Sequence, residues 1–505
     1  MESRNRQSMR TTASVVIVAL LLLTTSCSSY RHCQWRTGDQ SVNDAPGYSL
    51  RFIESDDEGW FWDKRQVEEA MRLIRSKAGE ADTIVVTFVH GWHHSAECCD
   101  ANVEGFRNTL ARLQGSLRSR FNVVGLYIGW RGQSLPMPLD YLTFWGRKGA
   151  AERVGANDLK EFLARLESLY LEYRPDARRP QSSSSVAAPA ETGAPRHFLG
   201  MVTIGHSFGG QVLLKAVTGS LEDQLQQLNP VPAYLRDAEP AAPSPDESFT
   251  LSGVGDLIVL VNPAAEASQY HRLHILSQGL NYSPLQTPLI LTVSAENDKA
   301  RHTAFTLGRK FGEFFTGKPR KDNDVERTVE RQALGVYRGH VTHQLMPTDP
   351  DLQLVATTIT GDTNHCGNHH QCKSDWREWD RSPVKTKPNS LKPNDPGLAG
   401  FDFSSDVVFN NVELSALTRQ QILDSGEDPQ QYGTAQPYQP FIVARASRKI
   451  IDDHSGFFTQ PFLQFLVPYI AYIEEKSKLN VRPKQVRRES EMQVIENQRT
   501  KTPPP

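Results

Sequence analysis

The sequence predicts an α/β protein with a mostly parallel central sheet and helices on both faces. Three observations carry this. Short runs that are apolar at nearly every position recur along the chain, as in 83–89 (TIVVTFV), 256–261 (DLIVLV) and 288–293 (PLILTV). Strands of that kind are covered on both faces, which parallel sheets require. Segments with helical spacing alternate with them, the pattern of repeated strand–helix units.

In order, 48–54 (YSLRFIE) reads as a strand, and 63–77 as a helix with Val67, Met71 and Ile74 on one face. The strand 83–89 follows. Asp100 is placed to cap a helix bearing Val103, Phe106, Leu110 and Leu113. Next come a strand at 122–129 and an amphipathic helix at 158–170, with Leu159, Phe162, Leu163, Leu166 and Leu169 on one face. The run 197–204 (HFLGMVTI) is a buried strand, and 210–217 opens a helix. Strands at 256–261, 288–293 and 440–446 complete the sheet. A last helix at 460–475 carries Pro468, which is expected to kink it.

The domain reading is a signal segment at 1–27, a first core part at 28–318, an insertion at 319–439, a second core part at 440–475 and a tail at 476–505. Stretches at about 174–196 and 229–248 are rich in Pro, Ala and Ser or acidic residues and read as flexible loops. The insertion is long and polar with few periodic runs, and is expected to fold over the site as a lid. The tail is charged, ends in three prolines and is expected to be disordered.

Composition excludes some classes. The 56 basic and 58 acidic residues nearly cancel, and no basic cluster is interleaved with aromatics, so a nucleic-acid partner is not indicated. The N-terminus has Arg4, Arg6 and Arg10 before the apolar run 13–23, then Thr24-Thr25-Ser26-Cys27. The run suits a signal peptide and is short for a membrane span. Cys27 after small residues resembles a bacterial lipobox, which makes it the lipidation site and places the chain at the cell envelope, on a lipid anchor facing the periplasm or exterior. Plain secretion and an uncleaved anchor are the alternatives. Export favours disulfides: Cys366 with Cys372, and Cys33 with Cys98 or Cys99. A metal site in the run 365–372, which holds three histidines and two cysteines, is the alternative to the first, but its spacing fits no standard zinc motif. No metal and no cofactor is expected.

The run Gly205-His206-Ser207-Phe208-Gly209 lies between the strand 197–204 and the helix at 210. Small residues on both sides of a serine, on a tight turn from strand to helix, resemble the nucleophile elbow of the α/β-hydrolases. Alone the motif is weak; its partners decide. In that superfamily the serine is followed in the chain by an acid and then a histidine, each after a later strand. The strand 256–261 ends in Asn262-Pro263, without a carboxylate. The strand 288–293 leads into Ser294-Ala295-Glu296-Asn297-Asp298, so Asp298 is the expected acid and Glu296 the alternative. Among the histidines downstream of the acid, only His454 follows the final strand and precedes a final helix. The expected triad is Ser207, Asp298 and His454. The oxyanion donors would be the backbone N–H groups of Phe208, the residue after the nucleophile, and Trp92, in the His90-Gly91-Trp92 loop.

The chain is thus similar to α/β-hydrolase superfamily serine hydrolases over roughly 48–315 and 440–475. It also resembles an uncharacterised bacterial and fungal group within it, through Asp56-Asp57-Glu58-Gly59-Trp60, Val89 to His93, Asp100 to Val103 and Gly129-Trp130-Arg131-Gly132. The resemblance implies hydrolysis of an acyl ester, from a small molecule or a lipid, through an acyl-enzyme, as in carboxylesterases and lipases. An acyltransferase needs the same triad and remains an alternative. So does a non-catalytic envelope binding protein on a hydrolase fold.

Overall fold

A computed structural model describes residues 43–97, 100–117, 121–132, 143–174, 197–228, 250–298, 301, 324–349 and 407–477. The signal segment with Cys27, all six cysteines, the run 365–372, nearly all of both Pro-rich loops and most of the tail lie outside these residues.

The elements are β1 (Tyr48–Glu54), α1 (Lys64–Glu80), β2 (Thr83–Val89), α2 (Ala101–Ser116), β3 (Asn122–Gly129), α3 (Phe144–Ala156), α4 (Asp158–Tyr173), β4 (Leu199–His206), α5 (Phe208–Leu228), β5 (Leu257–Val261), α6 (Ser268–Ser277), β6 (Ile290–Ala295), α7 (Asp324–Arg331), β7 (His343–Pro347), β8 (Val407–Phe409), β9 (Val412–Ala416), α8 (Arg419–Asp424) and β10 (Phe441–Ala446). A last helix, α9, covers 460–477. The strands form one ten-stranded sheet in the order β1-β3-β2-β4-β5-β6-β10-β7-β9-β8, parallel from β1 through β7. This is the expected α/β class with a mostly parallel sheet.

Alternation along each strand divides the core in two. On β2, Val85 and Val89 point to the face covered by α1, α3, α4, α5 and α6. Ile84, Val86 and Phe88 point to the face covered by α2 and α9. Both sets are buried, which is why the strand reads as continuously apolar. α3 escapes sequence reading because its buried face combines small residues with the charged Arg147 and Lys148. Ala150, Ala151 and Val154 pack inward, and a Cβ on Gly155 would fall 2.3 Å from the Val212 carbonyl oxygen of α5.

Of the insertion expected at 319–439 as a lid, residues 324–349 and 407–439 are described. They lengthen the sheet: β7 pairs parallel to β10, β9 antiparallel to β7, and β8 antiparallel to β9. Leu345, Phe409, Val412 and Leu414 pack into the same core as α9. The β8–β9 hairpin turns through Asn410 and Asn411, at φ 49° and 66°, the left-handed pair that a two-residue hairpin favours. The same Asn410 also supports α9. α9 stays helical through Pro468. A proline removes the hydrogen bond to the carbonyl four residues earlier, here that of Gln464, and Asn410 Nδ2 donates to that oxygen at 2.8 Å.

The chain leaves β2 toward β3 and leaves β4 toward β5. These two neighbours, paired from Thr83↔Leu199 to Val89↔Gly205, therefore open a crevice at their carboxyl ends. That is where open α/β sheets bind ligands.

Candidate active site

Ser207 stands at this crevice, directly after β4 and before α5. Its φ is 54°, a left-handed conformation that side chains other than Gly adopt at a cost. The turn is pinned by the Ser207 N–H donating to the Val261 carbonyl (3.0 Å), and by the Ser207 carbonyl accepting from Gly210 N and Ala264 N (both 3.0 Å). Close approach dictates the flanking glycines. A Cβ on Gly209 would fall 2.0 Å from the Val89 carbonyl oxygen, and one on Gly205 2.6 Å from that of Gly209.

Ser207 Oγ lies 2.7 Å from His454 Nε2, and His454 Nδ1 lies 2.7 Å from Asp298 Oδ2. The structure brings these three sequence-predicted residues together from three strand ends, with Asp298 fully buried and His454 partly open. Burial acts to raise the Asp298 carboxyl. The hydrogen bond from His454 and the charge of Arg301 outweigh it and hold the group well below the usual carboxylate range, so it is ionised.

Glu296 is not part of this cluster. It is exposed, and its Oε1 accepts from the Arg448 N–H at 3.0 Å. With Asn297, which donates to Asp452 Oδ1 and accepts from Asp453 N, it fastens the β6 loop to the loop that carries His454.

The two predicted oxyanion donors flank the serine. Phe208 is the first residue of α5, where backbone N–H groups have no partner within the helix and the dipole favours negative charge. Trp92 follows Gly91, whose missing Cβ would lie 2.7 Å from Ser207 Cβ. The Trp92 and Phe208 rings stand 6.4 Å apart, with Phe144 5.1 Å from each. Residues 90–95 are clamped at both ends. His90 Nε2 accepts from the Trp130 N–H (3.0 Å), which leaves Nδ1–H to donate to the Gly91 carbonyl (2.9 Å). Burial pulls the His90 pKa down to about 4, so the ring is neutral. At the other end Asp100, the cap of α2, accepts from His94 Nδ1 and Ser95 N, both at 2.9 Å.

Three supporting residues went unrecognised in the sequence. Asn262, read there only as lacking a carboxylate, is buried at φ 45°. Its Nδ2 donates to the His454 carbonyl (2.8 Å) and the Asp453 carbonyl (3.2 Å), and its Oδ1 accepts from Ala295 N (2.8 Å). His206, inside the elbow motif, donates from Nε2 to the same His454 carbonyl (3.0 Å) and stacks on Phe457 at 4.3 Å. Burial keeps its ring neutral. Arg301 is 1 % exposed and bonded to Asp298. The His206 position inside the motif was the available signal. Nothing local in the sequence marks Arg301.

Among the described residues no group of three or more His, Cys, Asp or Glu side chains is arranged to hold a metal ion. No helix among them is long and apolar enough to cross a membrane.

No family model matches the chain, and no curated protein matches it. Among solved structures, the crystal structure of an uncharacterized protein from Pseudomonas aeruginosa aligns at 10% identity and a TM-score of 0.19. The alignment covers 50% of this chain and 42% of that one, so the chain spans less than half that protein's length. A likeness at this level bears on neither fold family nor function.

Proposed function

We propose that the protein is a serine hydrolase of the α/β-hydrolase type, a carboxylesterase or lipase that cleaves acyl esters through Ser207, His454 and Asp298. One observation carries the reading: the unbroken chain of 2.7 Å contacts from Ser207 Oγ through His454 to Asp298, with the serine strained at a strand-to-helix turn. The position of this turn at the sheet's switch point, between β2 and β4, supports it.

Ser207 Oγ attacks the acyl carbonyl carbon while its proton moves to His454 Nε2. The carbonyl π pair moves onto oxygen, which the Phe208 and Trp92 N–H groups hold. Collapse expels the alcohol, which takes the proton from His454 and leaves the acyl group on Ser207. Water, giving a proton to His454, then attacks the acyl-enzyme and releases the acid and free Ser207. Asp298 stays ionised and stabilises the imidazolium throughout. On this reading no metal or cofactor takes part in the chemistry. The N-terminal segment ending at Cys27 supports an envelope location on a lipid anchor.

p-Nitrophenyl esters of graded acyl length test the activity. Ser207→Ala and His454→Ala should each lose about 10³-fold or more in kcat. Hydrolysis at the wild-type rate by folded Ser207→Ala would reject the reading.

A further inference from the structure

We propose that Arg301 is a positioning residue of this site. It grips Asp298 by the same carboxylate oxygen that His454 uses, and its fixed charge offsets the pull of that carboxylate on the His454 imidazolium. The inference rests on the triad reading above.

Asp298 Oδ2 accepts from both Arg301 Nε, at 2.5 Å, and His454 Nδ1, at 2.7 Å, while Oδ1 accepts from the Arg301 backbone N–H at 3.0 Å. The rest of the guanidinium is also committed. Nη1 donates to Ser294 Oγ and the Leu334 carbonyl, both at 2.9 Å, and Nη2 reaches Asn262 Oδ1 at 3.3 Å. With every nitrogen engaged and the side chain buried, Arg301 has nothing left to offer a substrate. Its contacts are instead the acid of the triad and Asn262, the residue that holds the His454 backbone.

A buried arginine in this place alters the charge balance of the triad. A lone carboxylate beside a histidine favours the imidazolium. Here the Asp298 carboxylate is shared with a guanidinium, so the imidazolium gains less from it. The other groups around His454 are untouched by a substitution at Arg301 and form a common background for the comparison. His206 is neutral, Glu296 and Asp452 are bonded to Arg448 N and Asn297, and His94 is paired with Asp100. Asp453 lies on the histidine's own loop, with its N–H bonded to Asn297.

The test compares wild type with Arg301→Gln, which keeps a donor and removes the charge, and Arg301→Lys, which keeps the charge. The readouts are the acidic limb of kcat/KM and the NMR titration of the His454 imidazole, assigned with His454→Ala. In Arg301→Gln both midpoints should move up by about one pH unit; in Arg301→Lys both should stay near wild type. A purely structural role predicts lower kcat with midpoints unmoved or lowered, and that result would overturn the inference. If Arg301→Gln does not fold, an upward shift in Arg301→Lys overturns it and an unmoved midpoint upholds it. The NMR titration needs no turnover. A wild type that hydrolyses no ester therefore counts against the triad reading, while an unmoved His454 titration in Arg301→Gln counts against Arg301.

Discussion

Asn262 donates its side-chain amide to the backbone carbonyl of His454 at 2.8 Å, joining the end of β5 to a loop beyond β10. His206, from the end of β4, donates to the same oxygen. The histidine is therefore placed by its main chain as well as by Asp298.

Asn262→Ala should lose these bonds and set a Cβ-bearing apolar residue at φ 45°. The expected destabilisation is about 2–3 kcal/mol, read by urea denaturation. Asn262→Gly relieves the backbone but not the lost bonds. It should regain part of the stability while kcat remains low. Recovery of wild-type kcat by the glycine variant would show that the amide does not position His454.

Gly91 is the point at which the loop after β2 touches Ser207. Gly91→Ala would set a methyl group 2.7 Å from Ser207 Cβ and 2.9 Å from the His206 carbonyl oxygen, both parts of a rigid turn. The loop must retreat, and the Trp92 N–H with it. On the proposed reading this removes one oxyanion donor, and kcat should fall by about 10²-fold. Steady-state kinetics with circular dichroism as a folding control would check this.

The two acids of the β6 loop should separate cleanly. Asp298→Asn leaves His454 with the wrong tautomer preference and no ionised partner, and kcat should fall by about 10⁴-fold. Glu296→Gln keeps an oxygen that can accept from Arg448 N and should retain wild-type kcat within a factor of about three. The opposite pattern would transfer the acid role to Glu296.

Far from the site, at the amino ends of the strands, Glu474 is buried beside Asp256 and Arg174. Burial first, and Asp256 second, push its carboxyl well above the usual range, with Arg174 opposing. Its folded value lies above its unfolded value. It therefore contributes stability that is full below the unfolded value, about 4.5, and is lost as pH rises through the folded value. Denaturation midpoints should fall from mildly acidic toward alkaline pH. Glu474→Gln should flatten that slope and gain about 1 kcal/mol or more at pH 8. Parallel slopes in the two proteins would exclude Glu474 as the source.

The sequence resolved the parts of this molecule in which each strand or helix is specified by its own apolar pattern. β1, β2 and β3 fall on their expected residues, and Asp100 caps α2 through the Asn102 N–H. Ser207 and Asp298 were legible because each closely follows an apolar strand, and His454 because it lies between the last strand and the last helix. β7, β8 and β9 were missed because they are short strands toward one edge of the sheet, with partly exposed residues alternating among buried ones inside a polar stretch. α3 was missed because its buried face joins two charged residues, Arg147 and Lys148, to small ones and so carries no apolar stripe. Arg301 and Asn262 were missed for a different reason. Their roles arise only where the ends of β5, β6 and β10 meet, and no local spacing encodes that meeting.

The central claim is that Ser207 is a nucleophile activated by His454. The most direct measurement treats the folded protein with a fluorophosphonate and maps the adduct by peptide mass spectrometry. One adduct is expected, on the peptide containing Ser207, absent from Ser207→Ala and slowed at least about 10³-fold in His454→Ala. An adduct elsewhere, or none on the folded wild-type protein, would contradict the claim.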